Sequence, residues 1–87
     1  MIIKVKTTEA AAPTGSGTAS NVSSATCVRA VNSGTTVRLV TVEESGGTDI
    51  GTMSVAGGAT EYLEKDPTDQ IFAAHAEFLL ASVALKG

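Results

Sequence analysis

The sequence has no tryptophan, one tyrosine, two phenylalanines, one cysteine, one histidine and two prolines among 87 residues. Each shortage excludes something. Without bulky aromatics a core must be built from small side chains that bury little area each, so a lone domain of this length is marginally stable and gains from neighbours. The single cysteine, Cys27, forms neither an internal disulfide nor a cysteine-based zinc site. Charge is sparse as well, at 17% of residues, with net charge −3. The six Lys and Arg are scattered rather than striped, which argues against electrostatic binding of nucleic acid. The most apolar stretch, residues 71–85, holds His75 and Glu77 and falls short of the about 20 residues of a membrane-spanning helix. Residues 1–6 carry no apolar run of signal-peptide length, so the expectation is a chain made in the cytoplasm without an export signal.

What is present is small and β-branched. Thirteen Ala, nine Val and twenty Ser or Thr, with nine Gly, suit a packed sheet better than a helical bundle. The length allows one domain, residues 1–87. Residues 1–6 alternate, with Ile3 and Val5 on one face and Lys4 and Lys6 on the other, which is the period of a half-buried strand. Residues 7–20 are low in complexity and read as a flexible arm, or as a segment that orders against a neighbour.

From residue 21 onward, strand-like runs recur every 10–12 residues: 26–32, 37–43, 48–55 and 59–65. Turn residues separate them at Asn32-Ser33-Gly34, Ser45-Gly46-Gly47 and Ala56-Gly57-Gly58. The first two runs read as a hairpin, and Gly51 marks a bulge. Residues 68–81 have two readings. One is a helix capped by Asp66 with Pro67 at its first position. The other is a strand at 70–73, a turn and a last strand at 82–86, which the surrounding pattern favours. The expected fold is all-β: a small sandwich or barrel of about six to eight short antiparallel strands, over residues 21–87, with an extended N-terminal arm over residues 1–20. Its expected core is Val28, Leu39, Val40, Met53, Val55, Leu63 and Ile71. Several strands are apolar on both faces, which fits a subunit that also packs against something outside itself.

No motif supports catalysis, a cofactor or a metal. His75 has Glu77 two residues away but no nucleophile in a recognisable arrangement, and reads as a surface histidine. Cys27 reads as a buried structural cysteine. Glu61, Glu64, Asp66 and Asp69 cluster without the dense ligand series of a calcium loop, and read as solvated carboxylates at a turn. The glycine pairs lack a following helix and a phosphate-binding lysine.

Three segments stand out together: the strand pair 25–32 and 37–43, the segment Gly51-Thr52-Met53-Ser54-Val55, and the run Glu64-Lys65-Asp66-Pro67-Thr68-Asp69-Gln70-Ile71. With them, residues 25–85 resemble a loose group of short virion-associated proteins of tailed bacteriophages, chiefly marine and cyanobacterial ones. The last run looks like that group's Glu-Lys-x-Pro-Thr-Asp-x-Ile pattern, and Phe78-Leu79-Leu80 is more apolar than its members. The resemblance implies a small all-β protein with a structural rather than catalytic role. The expectation is a capsid decoration or cement protein, located in the virion, homo-oligomeric, and bound to the major capsid protein or other virion subunits. Its expected contact residues are Ile2, Ile3, Val5, Pro13 and Thr14. A neck, tail or fibre-attachment component is the alternative within the virion. A small host-directed binding module or enzyme is the alternative of another class.

Overall fold

In the computed structural model, which describes residues 1–86, the alternating runs form eight strands. They are β1 (Ile2–Val5), β2 (Ala10–Ala11), β3 (Cys27–Asn32), β4 (Arg38–Glu43), β5 (Asp49–Val55), β6 (Thr60–Glu64), β7 (Gln70–Ala73) and β8 (Phe78–Lys86). The only helical element among the described residues is a single 3-10 turn at Ser16–Thr18. Two antiparallel sheets result. One has the order β1-β8-β3-β6, with β2 also on β8; the other has the order β5-β4-β7. This is the expected all-β, sandwich-like arrangement. No helix among the described residues is long and apolar enough to cross a membrane.

The core lies between the sheets. Val28, Ala30, Phe78 and Leu80 of the larger sheet meet Val40, Val55, Ile71 and Ala73 of the smaller one. Period-2 alternation produces this: in β3 the residues at even positions are buried and those between them are half-buried. Asn32 ends the same inward row, opposite Phe78. Its amide donates to the carbonyls of Thr36 at 2.7 Å and Val55 at 2.9 Å, while its oxygen accepts from the Gly34 amide at 3.1 Å. A fully buried amide needs such partners.

The expected hairpin is absent, and Asn32 shows why. Residues 26–32 and 37–43 do not form a hairpin. β3 pairs with β6 and β8, whereas β4 pairs with β5 and β7 in the other sheet. The Asn32 side chain ties the connecting loop to the end of β5, and the chain crosses from one layer to the other. Space there is tight: a Cβ on Gly57 would fall on the Thr35 backbone. The expected bulge occurs next to Gly51. Val42 faces Gly51 and Glu43 faces Asp49, which leaves Ile50 as the extra residue.

Two expected core residues lie outside it. Leu39 is 43% exposed and Met53 is 36% exposed. Leu39 falls between the inward residues Arg38 and Val40, and Met53 sits on β5, an edge strand where the cover runs out. Val28, Val40, Val55 and Ile71 are buried as expected, and Leu63 packs partly buried against them. Residues 70–73 and 78–86 are strands, so the helical reading of 68–81 does not hold, and the last strand starts four residues before the expected 82. β8 is apolar at every position from Phe78 to Ala81 because both of its faces are covered there.

Residues 7–20, expected as a flexible arm, lie along their own chain. Ala12 is buried in the core, and its amide donates to the Phe78 carbonyl at 2.7 Å. The Ala73 amide donates to the Pro13 carbonyl at 2.9 Å, and Ser20 and Ile71 exchange two bonds at 3.0 and 2.7 Å. The arm thus extends β8 first and β7 next, one strand edge in each sheet. It then ends in a left-handed turn. Val22, Ser23 and Ser24 all have positive φ, 53 to 57°, which costs roughly 1–2 kcal/mol per residue. The turn is held by Asn21, whose side-chain oxygen accepts from the Ser24 amide, and by the burial of Val22.

Candidate interaction edge

β1 is the outermost strand of the larger sheet, and all four of its residues are exposed. Its register on β8 puts Val5 opposite Val83 and Ile3 opposite Leu85. The outward row of β8 also contains Ala81, opposite Arg29 of β3. Ile3, Val5, Ala81, Val83 and Arg29 therefore line one outer cleft of about 310 Å³, with Thr7 and Glu9 at its end. An Arg29–Glu9 ion pair at 3.0 Å lies across that end. Ile2 is 65% exposed and Val5 71%.

The backbone of β1 is half-used. The Lys6 amide donates to the Ser82 carbonyl at 2.9 Å, and the Thr7 hydroxyl oxygen accepts from the Ser82 amide at 2.9 Å. Backbone groups alternate along a strand, so Lys4 and Lys6 point their N–H and C=O at β8 while Ile3 and Val5 point theirs at the open edge. Lys4 and Lys6 put their ammonium groups on the sheet face opposite to the Ile3 and Val5 side chains.

Of the expected contact residues, the structure brings Ile2, Ile3 and Val5 together on this edge. Pro13 and Thr14 sit elsewhere, where the arm meets β7: Pro13 is half-buried and Thr14 exposed. Ala81, Val83, Leu85 and Arg29 join the edge through β8 and β3. Arg29, Val83 and Leu85 fell within expected strands and Ala81 did not, and only the register on β1 shows that they share a face with Ile3 and Val5.

The residues with reactive side chains do not assemble into a catalytic group. His75 is exposed in the β7–β8 turn, and its Nδ1 accepts from the Glu77 amide at 3.0 Å. The Glu77 carboxylate pairs with Arg38, 2.6 Å from its Nε, and the other carboxylate oxygen lies 3.9 Å from His75 Nδ1. Cys27, expected to be buried, is half-buried, because it falls on the outer row of β3 opposite Glu64. The Asp66 amide donates to the Asp69 carboxylate at 3.1 Å within a turn, and no group of three or more potential metal ligands occurs among the described residues.

Two charged side chains are buried. Lys65 Nζ donates to the carbonyls of Ala25 at 2.7 Å and Asp66 at 3.2 Å. Burial pushes its ammonium below the usual lysine range, and the carboxylates of Asp69 and Asp66 offset part of that. Glu43 is fully buried under the Ser16–Thr18 turn; the Ser16 hydroxyl donates to its Oε2 at 2.7 Å, and its Oε1 has no hydrogen-bond partner among the described residues. Sequence reasoning singled out neither of these burials, since nothing local distinguishes Lys65 from Lys86 or Glu43 from Glu44.

The chain matches no known protein family, no curated protein and no solved structure.

Proposed function

We propose that this chain is a structural protein of a tailed-bacteriophage virion, a decoration or cement subunit that stiffens the head lattice through many weak contacts. The observation that carries the reading is the β1 edge, where Ile3, Val5 and Leu85 are exposed on one face of the sheet and Ile2 on the other, on a protein otherwise short of large apolar side chains. Such a patch on a small domain is characteristic of an interaction site. The sequence resemblance over residues 25–85 supplies the kind of assembly. Multivalency makes weak contacts sufficient, since each bound copy raises the effective concentration of the next contact, and a bound partner also stabilises a domain with a thin core.

Quantitative mass spectrometry of purified particles tests this. A decoration role requires the chain in a copy number comparable to that of the major capsid protein. A count of a few tens or fewer would move it to the neck, tail or fibre attachment. Its absence from particles would leave the host-directed module. Removing residues 1–20 is not a clean probe of the edge, because Ala12 belongs to the core. Val5→Ser and Ile3→Ser alter the edge alone.

A further inference from the structure

The larger sheet has two free edges, and they carry opposite charge. β1 presents Lys4 and Lys6; β6, at the far end of the sheet, presents Glu61 and Glu64. We infer that copies of this chain join head to tail, with β1 of one copy pairing antiparallel to β6 of the next and continuing the sheet from subunit to subunit. The inference deepens the proposed function by naming a second copy as the partner of the β1 edge.

Three features of the two edges agree. First, direction: β1, β8, β3 and β6 are antiparallel in turn, so β1 of the next copy laid against β6 runs antiparallel and extends the same pattern. Second, hydrogen-bonding parity. The Lys65 amide donates to Thr26 and the Ala59 carbonyl accepts from Asn32, so odd-numbered residues of β6 face β3, while Thr60 and Tyr62 turn their backbone groups to the open edge. On β1 the open groups belong to Ile3 and Val5. Third, side-chain match. Pairing Ile3 with Tyr62 and Val5 with Thr60 also sets Ile2 against Leu63 and Lys4 against Glu61. Each apolar or β-branched residue then meets a like partner, and the two charges meet as opposites.

The charges also argue against the alternatives. Two β1 strands paired through Ile3 and Val5 would set Lys4 against Lys4, and two β6 strands paired through Thr60 and Tyr62 would set Glu61 against Glu61. The heterologous contact joins Lys4 to Glu61, and a heterologous contact propagates into a ring or a filament instead of stopping at a dimer.

Sedimentation velocity across a concentration series, at low and high salt, tests this with the intact chain. Wild-type protein should form species larger than a dimer at low salt, weakened by added salt. Lys4→Glu and Glu61→Lys should each weaken assembly roughly tenfold. Mixed together, the two variants should co-assemble, because each then offers the edge that the other lacks. Val5→Pro, which removes a donor aimed away from β8, should abolish assembly with the circular dichroism spectrum unchanged. A wild-type chain that stays monomeric would overturn the inference, as would a Glu61→Lys variant that assembles like wild type. Neither result touches the virion reading, which stands or falls on the particle count. Assembly by a chain that is absent from particles would sink the virion reading alone.

Discussion

The two faces of β8 are built from similar residues and have different surroundings. Phe78 and Leu80 point inward and are covered by the opposite sheet; Ala81 and Val83 point outward into a cleft that they share with Ile3, Val5, Thr7, Glu9 and Arg29. All four are almost fully buried. Both rows are closed, the inner one by the opposite sheet and the outer one beside an edge strand whose own residues stay exposed. The same kind of apolar row is thus closed by the opposite sheet on one side and lies beside an exposed edge strand on the other.

Substitutions can separate the two faces. Phe78→Ala, on the inner row, should cost about 3–5 kcal/mol, because it leaves a cavity at the largest fully buried side chain. Chemical denaturation should show this as a large drop in midpoint, large enough to leave the variant partly unfolded in a domain this small. Asn32→Ala, directly opposite in the same row, should cost roughly 1–3 kcal/mol by stranding the Val55 carbonyl and freeing the loop to β4. If it cost as little as an exposed substitution, the account of how the chain crosses between sheets would be wrong.

Lys65 tests how well the inner margin excludes water. Its pKa is lowered in the folded state, so the folded chain releases that proton before the unfolded chain does. Between the folded value and 10.5 the unfolded state binds more protons, and the contribution of this group to stability rises with pH across that window. Below the window the burial penalty is fully present. Lys65→Met should flatten this alkaline rise in thermal unfolding measured against pH. An unchanged profile would mean that Lys65 is solvated.

The outer face should give the smallest effect on stability. Val5→Ser should change it by less than about 0.5 kcal/mol, since the residue is exposed in the isolated chain, while weakening association. A large loss of stability there would make β1 part of the core and erase the contrast between the faces.

Much of this was legible along the chain. The alternation in residues 26–32 located β3 and its buried row, and the turn triplets located the strand boundaries. The alternation in residues 1–6 located β1, but it predicted a half-buried strand, whereas all four residues of β1 are exposed because no second layer covers that edge. Other features were not legible. Val40 and Leu39 are equally apolar neighbours, and which one faces inward depends on the strands beside them. Lys65 and Glu43 are buried by segments distant in sequence, near residues 25 and 16. The arm looked flexible because its residues are small and polar, yet the edges of β7 and β8 supply its hydrogen bonds.

The sequence alone determined that this is a strand-rich chain with a thin core and an apolar, cationic first strand. Those properties follow from local periodicity, side-chain size and composition. Tertiary structure alone decided that β3 and β4 belong to different sheets, that the arm folds back, and that a basic edge and an acidic edge end the same sheet. Pairing is a contest between segments far apart in the chain, settled by which partners satisfy each backbone edge and bury each row.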